Sequence, residues 1–334
     1  MTILLAVVAG GALGYTFSRG DFCFHSTWRN VFSANGDTSL VKAYGLLLLI
    51  STPLIQILIA ADVIDPFIPR LSWGAALVGG ATFGIGMVIA STCVSGMFYK
   101  LGNGMLGMVL AIGAWALGDI VAYRGPLRSL RDSLNEDPLT YVDDAGEAQP
   151  ETVLSLAGGS GWPIVIVVGL GLSTWLWRAH LSTDGRTRRG QLWGWAPLGL
   201  ATAVIMVLAW LLTRWHGADY TYGTSGVPTS ISRVVFDGED IAWWIPLGLL
   251  SLVPGALLAA RLTGAAWLRG EATARYAQLT VGGFVMGVGA GIAGGCNLGH
   301  SMVGVPLLSL GSIVTTIAII GGVFAADRVV RFAR

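Results

Sequence analysis

Long apolar stretches separated by short polar connections run along most of the chain. Crossing about 30 Å of hydrocarbon as a helix takes roughly 20 mainly apolar residues. Nine stretches come close to that length, near residues 2 to 18, 40 to 60, 73 to 91, 104 to 122, 162 to 178, 194 to 213, 242 to 260, 277 to 294 and 307 to 326. The pattern therefore predicts an all-α polytopic membrane protein with about nine transmembrane helices.

The composition agrees with a chain embedded in a lipid bilayer. Of the 334 residues, 54% are hydrophobic and 12% are charged, whereas about a quarter of the residues are charged in a soluble domain. The 48 glycines and 13 tryptophans are typical of close-packed membrane helices with indole rings at the interface. A net charge of +1 and three cysteines exclude a polybasic nucleic-acid binder and a disulfide scaffold.

The basic residues determine the predicted orientation. With nine spans and the N-terminus outside, fourteen of the 20 Lys and Arg residues fall on inside segments and six fall outside. Because basic residues concentrate on the cytoplasmic side, we predict an inner-membrane protein with a periplasmic N-terminus and a cytoplasmic C-terminus. The long hydrophilic loop, residues 123–161, then lies outside as a solvated lid or spacer.

Part of the chain recurs at a shift of 203 residues. Eight of sixteen positions between 78 and 93 recur between 281 and 296, and Cys93 recurs as Cys296. Four residues between 26 and 32 recur at a shift of 204. The four helices before the fifth span are thereby matched with the four helices after it. Because the fifth span has no counterpart, the second copy crosses the membrane in the opposite orientation to the first.

This inverted repeat of the form 4+1+4 divides the chain into three parts. Residues 1–122 form the first repeat, and residues 194–334 form the second. Residues 123–193 hold the outer loop, the fifth helix and a cytoplasmic linker. Transporters built from such repeats bind their solute near the middle of the membrane, between the two copies.

Four segments that follow the matched helices combine small polar residues with large apolar ones. These segments are residues 21–32, 92–101, 223–236 and 295–306. Irregular backbone is tolerated at membrane depth where protein buries it or where it lines a cavity. We therefore predict short re-entrant helices that point inward from both faces and form an hourglass, with N-terminal N–H groups available to an anion.

The three cysteines are the candidate solute-binding residues, because each lies where a helix meets one of these segments. We expect Cys296 to meet the solute on the outer side, and Cys93 and Cys23 to serve inner positions. Cys23 is expected to matter less because Val227 occupies its counterpart. The small and polar residues beside them complete the predicted pathway: Ser95, Gly96, Thr224, Ser225, Gly295 and Asn297.

Ionisable residues are given smaller roles by the sequence. Lys100 is interpreted as an interfacial cation on the inside, and Asp119 as an interfacial residue near the outer end of its helix. We expect helix N-termini, not charged side chains, to hold the anion. No cofactor and no metal are predicted, since zinc-ligand spacing of the C-x-x-C type is absent; a Cys/His site with His25 or His300 is the alternative.

With these residues in view, the chain resembles the YeeE/YedE family of bacterial membrane proteins over its whole length. The resemblance lies in Phe22-Cys23, in the segment 91–104 around Cys93 and in the segment 294–300 around Cys296. It implies a pseudosymmetric hourglass with three cysteines along the solute path. The characterised members of this family take up thiosulfate.

The function predicted from these observations is uptake of thiosulfate or a similar small sulfur anion across the inner membrane. A soluble cytoplasmic sulfurtransferase that consumes the solute is a predicted partner. One alternative is a membrane-embedded sulfurtransferase or thiol redox enzyme that acts through a cysteine persulfide. Another is a transporter for a different sulfur or selenium oxyanion, and a third is a scaffold subunit that transports nothing.

Overall fold

The computed structural model describes residues 2–32, 36–142, 148–157, 162–181, 193–213, 218–223, 227–240 and 243–332. In chain order its α-helices are α1 (Thr2–Gly20), α2 (Phe24–Phe32), α3 (Ser39–Ala60), α4 (Gly80–Ala90), α5 (Val94–Gly102), α6 (Gly107–Tyr123), α7 (Arg128–Leu134), α8 (Trp162–Leu181), α9 (Trp195–Thr213), α10 (Val227–Asp237), α11 (Trp244–Leu250), α12 (Leu252–Leu262), α13 (Thr273–Ala293) and α14 (Leu310–Phe332). Two π-helical segments, Ala75–Gly79 and Leu298–Gly304, precede α4 and α14. A short antiparallel hairpin joins β1 (Thr140–Val142) to β2 (Ala148–Pro150).

Each of the nine apolar stretches contains a helix, and several of these helices are suited to span a membrane. Among the described residues, six helical runs are long and apolar enough: Ser39–Ala60, Ala75–Gly102, Trp195–Thr213, Trp244–Leu262, Thr273–Ala293 and Leu310–Phe332. A seventh is obtained if α6 and α7, bent by 69° at their junction, count as one span. The prediction of an all-α multi-pass membrane protein is confirmed, while nine spans in an inverted repeat stay a prediction.

Helices of the first half pack against helices of the second half in pairs that the sequence repeat exchanges; we call these the exchanged helix pairs. Helix α1 packs on α12, and α9 packs on α3. Helix α6 packs on α13, α4 packs on α14, and α4 also contacts α13. The sequence repeat matches α1 with α9, α3 with α11 and α12, α4 with α13, and α6 with α14. Each of these contacts therefore has a counterpart in which the roles of the two halves are reversed.

Glycines at the crossing of α4 and α13 show the same exchange at atomic detail. A Cβ atom added to Gly79 would overlap the backbone nitrogen of Ala293, and one added to Gly282 would overlap that of Ala90. The 203-residue shift converts the first contact into the second. Small residues allow helix backbones to approach this closely, so the glycine spacing found in the sequence serves helix packing here.

Each of the four segments expected to re-enter the membrane contains a short helix. The four are α2, α5, α10 and the π-helical segment Leu298–Gly304. All seven residues of the π-helical segment are buried, as are six consecutive residues of α5 from Val94 to Tyr99. These two helices place the residues on either side of Cys93 and Cys296 inside the protein; their depth in a bilayer stays a prediction.

The hydrophilic loop after α6 packs on the end of α13. The Nε–H of Arg131 donates to the Gly291 carbonyl at 3.1 Å, and Nδ2 of Asn135 donates to the Ile292 carbonyl at 3.2 Å. These bonds satisfy carbonyls at the C-terminal end of α13, which have no partner within the helix. The described part of this loop therefore supports α13, the helix that leads to Cys296. A solvated spacer would not make such contacts.

Candidate functional site

Cys23 and Cys93 face each other within the main buried cluster of the protein. Their Sγ atoms are 3.5 Å apart, and both are free thiols with no exposed surface. Cys23 lies between α1 and α2, whereas Cys93 directly precedes α5. We call these two residues the thiol pair. The structure therefore brings together the two cysteines that were expected at inner positions.

Helix α5 begins at a cysteine cap. Helix α4 ends at Ser91, which has a left-handed backbone with φ of 50°, and Cys93 then adopts an extended backbone. The Cys93 Sγ accepts a hydrogen bond from the Gly96 N–H at 3.3 Å. N-cap positions favour oxygen acceptors such as Ser or Asp, and a thiol sulfur is a weak acceptor. The first turn of α5 therefore retains more of its capacity to bind an anion.

Gly96 keeps space open beside the thiol pair. A Cβ atom at this position would lie 3.0 Å from Cys23 Sγ, 3.3 Å from Cys93 Sγ and 2.5 Å from Thr92 Oγ1. Any larger residue would have to displace both sulfur atoms or the hydroxyl group. This predicted site residue thus contributes through its lack of a side chain.

Cys296 has a corresponding position in the second half of the chain. Helix α13 ends at Gly294, which has φ of 77°, and the π-helical segment begins two residues after Cys296. The backbone N–H of Leu298 donates to Cys296 Sγ at 3.2 Å, and the thiol has no exposed surface. Both sulfur atoms matched by the repeat therefore accept a backbone N–H at the start of a short buried helix.

His300 fixes the turn that holds Cys296. One ring nitrogen, Nδ1, lies 3.1 Å from Ser312 Oγ, and the other, Nε2, lies 3.1 Å from the Ala293 carbonyl. A Cβ atom on Gly295 would lie 2.5 Å from Nε2, so the predicted site residue Gly295 admits the imidazole ring. Among the described residues, no group of three or more His, Cys, Asp and Glu side chains could hold a metal ion.

Ser95 and Asn297 connect the two halves of the site. The Ser95 Oγ lies 3.3 Å from Cys93 Sγ and accepts a hydrogen bond from Asn297 Nδ2 at 3.4 Å. Both residues are completely buried. We call Cys23, Cys93, Ser95 and Asn297 the polar run, because consecutive members contact one another from the first half of the chain to the residue next to Cys296.

The amide of Asn297 can offer a donor to an anion. Its Oδ1 is buried and has no hydrogen-bond partner among the described residues, and a buried polar atom without a partner costs about 1–3 kcal/mol. The NH₂ group carries two hydrogens, of which Ser95 Oγ accepts one.

Lys100 lies closer to the thiols than its interfacial interpretation implied. Its Nζ donates to Thr92 Oγ1 at 3.2 Å, and that hydroxyl lies 3.9 Å from Cys23 Sγ. Helical periodicity did not show this, because Thr92 and Cys93 precede α5 and their placement depends on the turn after α4. Thr92 and Lys100 therefore join the candidate site as residues that the sequence interpretation left out of the pathway.

His25 is a second residue that the sequence interpretation left out of the pathway. Its side chain is 3% exposed, and neither ring nitrogen has a hydrogen-bond partner among the described residues. It lies in the first turn of α2, two residues after Cys23. Buried polar groups are almost always paired, so both nitrogens are available to a solute or water next to Cys23.

Two predicted site residues, Thr224 and Ser225, lie outside the described residues. Asp119, expected near the membrane interface, has no accessible surface in the protein, and it accepts a hydrogen bond from Thr229 at 3.1 Å; its depth in a bilayer stays a prediction. The physical reason for its burial is α10, which packs over α6 and covers the carboxylate. The sequence pattern of α6 alone could not show this cover.

Apolar spans around a buried run of thiol, hydroxyl and amide groups define a membrane transporter for a small polar solute. The chain belongs to the YeeE/YedE family, whose model, described as "Sulphur transport", matches residues 19–325. Membership confirms the resemblance found in the sequence motifs and makes this protein a sulfur-compound transporter.

Two relatives agree with this assignment. A thiosulfate transporter, TsuA, of Spirochaeta thermophila is 27% identical over 336 residues, covering 96% of this chain and 96% of the relative. TsuA of Escherichia coli, also named a thiosulfate transporter, is 26% identical over 343 residues, covering 97% of this chain and 94% of the relative. The family and both relatives are transporters and not enzymes, which does not favour the persulfide-enzyme alternative.

Proposed function

We propose that this protein takes up thiosulfate, or a similar small sulfur oxyanion, across the bacterial inner membrane. The observation that carries the proposal is the polar run, whose members contact one another within the buried core and connect the two halves of the chain. The names of the two relatives support thiosulfate as the solute.

The chemistry of the polar run suits a solute that has to leave as readily as it enters. Thiosulfate is a dianion with hard oxygens and one soft terminal sulfur. Neutral thiol, hydroxyl and amide groups can donate hydrogen bonds to it, and several weak sites in a row permit conduction. The N-terminus of α5 adds partial positive charge without a buried cation in the middle of the path.

The solute then passes from Cys296 to Asn297 and Ser95, and from there to the thiol pair. On the far side of the pair, His25 supplies free ring nitrogens and Lys100 supplies a positive charge next to Thr92. A cation at the end of the path gives the anion a favourable interaction as it leaves the neutral donors. Along the proposed path the solute therefore meets weak neutral donors first and a charged group last.

The inverted repeat and the orientation of the chain belong to the same proposal. The exchanged helix pairs and the reciprocal contacts of Gly79 and Gly282 support a twofold relation between the halves. The excess of basic residues on the predicted inner segments supports a periplasmic N-terminus and a cytoplasmic C-terminus. A soluble cytoplasmic sulfurtransferase would keep uptake favourable by consuming the solute, and we propose it as a partner.

Uptake of labelled thiosulfate into proteoliposomes tests the proposal. Sulfate, selenite and tetrathionate serve as competitors, so that a preference for another sulfur or selenium oxyanion is detected. We expect unlabelled thiosulfate to compete best and Cys296→Ala to abolish uptake. Ser51→Ala is the matched control, because Ser51 is a buried serine that bonds to the Leu47 carbonyl within α3. Normal uptake by the Cys296→Ala protein would contradict the pathway.

A further inference from the structure

The thiol pair has a geometry that thiosulfate uptake by itself does not require. Two cysteines separated by 70 positions in the chain place their Sγ atoms 3.5 Å apart without forming a bond. A disulfide bond is about 2.05 Å long, so an approach of roughly 1.5 Å would join them. A solute path needs thiols within reach of the solute, but it does not need two thiols in contact with each other.

We propose that Cys23 and Cys93 form a reversible oxidation site, which is converted to a disulfide by sulfur oxyanions that contain an S–S bond between two thiosulfate units, and that this disulfide stops transport. Tetrathionate is the simplest such compound. The inference rests on the proposed function, because the oxidant reaches the buried pair along the path of the solute it resembles.

The reaction is a thiol–disulfide exchange in two steps. One thiol loses its proton and attacks a central sulfur atom of tetrathionate; the central S–S bond breaks, and thiosulfate leaves. The second thiol loses its proton and attacks the cysteine sulfur of this adduct, and a second thiosulfate leaves as the disulfide forms. The pair gives up two electrons and two protons, and tetrathionate takes up the two electrons as it becomes two thiosulfate ions.

Formation of the bond has a direct consequence for the path. A disulfide removes both S–H donors of the pair and ties the connection between α1 and α2 to the start of α5. Gly96 lies against both sulfurs, so the space next to them changes as they move together. The reaction consumes one pair per protein molecule and is a modification of the transporter, not a catalytic cycle.

The test uses the full-length protein in proteoliposomes, treated with tetrathionate and then unfolded, so that buried thiols react, before alkylation and digestion with trypsin. Cleavage after Arg and Lys places Cys23 in peptide 20–29, Cys93 in peptide 71–100 and Cys296 in peptide 276–328. We expect mass spectrometry to find peptides 20–29 and 71–100 linked, and thiosulfate uptake to fall in proportion to the linked fraction. Reduction with a phosphine should remove the link and restore uptake.

Two variants make the result specific. Ser51→Ala should still give the linked peptides, since it keeps both the pair and the path, whereas Cys93→Ala should give none. The proposal is overturned if tetrathionate leaves both thiols of the pair alkylatable, or if the linked protein transports as well as the reduced protein. Failure of the proposed function gives a different result: the reduced wild-type protein would not take up thiosulfate, whether or not tetrathionate links the two peptides.

Discussion

Cys23 and Cys93 share one contact, so removal of either sulfur leaves the other without its partner. We therefore expect Cys23→Ala to lower thiosulfate uptake as severely as Cys93→Ala, in contrast to the lesser role that the valine at the matched position suggested. Growth on thiosulfate as the sole sulfur source, at matched membrane expression, measures this. Ser51→Ala again serves as the control for loss of a small buried group. If the Cys23→Ala strain grows well and the Cys93→Ala strain does not, Cys23 has the lesser role that the sequence alone suggested.

Lys100 tests whether charge or neutral donors do most of the binding. Its ammonium group lies one hydroxyl away from the thiol pair, so Lys100→Met should remove attraction for the anion but leave every donor of the polar run in place. We expect the thiosulfate concentration for half-maximal uptake to rise about tenfold, which is about 1.4 kcal/mol, with maximal uptake retained. Lys100→Arg keeps the positive charge, so we expect a smaller rise in the thiosulfate concentration for half-maximal uptake. A Lys100→Met protein as inactive as Cys93→Ala would show that the principal binding charge resides on this lysine.

At the level of residues, the sequence identified individual groups but not their neighbours. Cys93 and Cys296 could be predicted because a rare residue recurred in register. The contact between Cys23 and Cys93 depends on how the turn after α1 meets the start of α5, and no local pattern encodes that placement. The hydrogen bond from Asn297 to Ser95 likewise joins residues 202 positions apart, and neither residue type distinguishes it from ordinary helix capping.

The short helices are the elements on which the site depends, and α5 shows how one glycine determines its use. Gly96→Ala should keep the helix but place a methyl group against both thiol sulfurs and Thr92 Oγ1. We expect uptake to fall strongly while the thermal unfolding midpoint in detergent changes little in comparison. Gly113→Ala in α6 is the matched control, since a Cβ atom there has no neighbour within 4 Å; it should gain about 0.5–1 kcal/mol from helix propensity and transport normally. Equal uptake by the two variants would remove Gly96 from the site.

Helices of this chain were predictable to different degrees for physical reasons. Long apolar stretches such as α3 and α14 are specified by hydrophobic length alone, and the structure has a helix in each of them. The mixed polar and apolar segments predicted the short helices α2, α5 and α10, because buried backbone has to satisfy its own hydrogen bonds. The π-helical form of Leu298–Gly304 was not predictable, since it depends on packing around His300 and Ser312.

At the scale of the whole molecule, the exchanged helix pairs give the two halves equivalent surroundings. Reciprocal close contacts at Gly79 and Gly282 mean that α4 and α13 meet through the same positions of the two copies. The proposed twofold relation would place Cys93 and Cys296 at equivalent points on opposite sides of the crossing. The sequence repeat indicated the pairing, whereas the packing that joins the copies required the positions of every helix.

The orientation of the molecule in the membrane is the prediction that fixes the direction of the path. Five of the nine predicted spans follow the loop after α7, so we expect this loop and the C-terminal end of α14 on opposite faces, and the basic residues assign the latter to the cytoplasm. We expect Glu136→Cys to react with an impermeant maleimide added to intact spheroplasts, and Phe332→Cys to react only after the membrane is opened. Both positions are exposed, and the wild-type protein is the blank because its three thiols are buried. Labelling of Phe332→Cys in intact spheroplasts, or protection of Glu136→Cys there, would reverse the orientation and with it the assignment of Cys296 to the side where thiosulfate arrives.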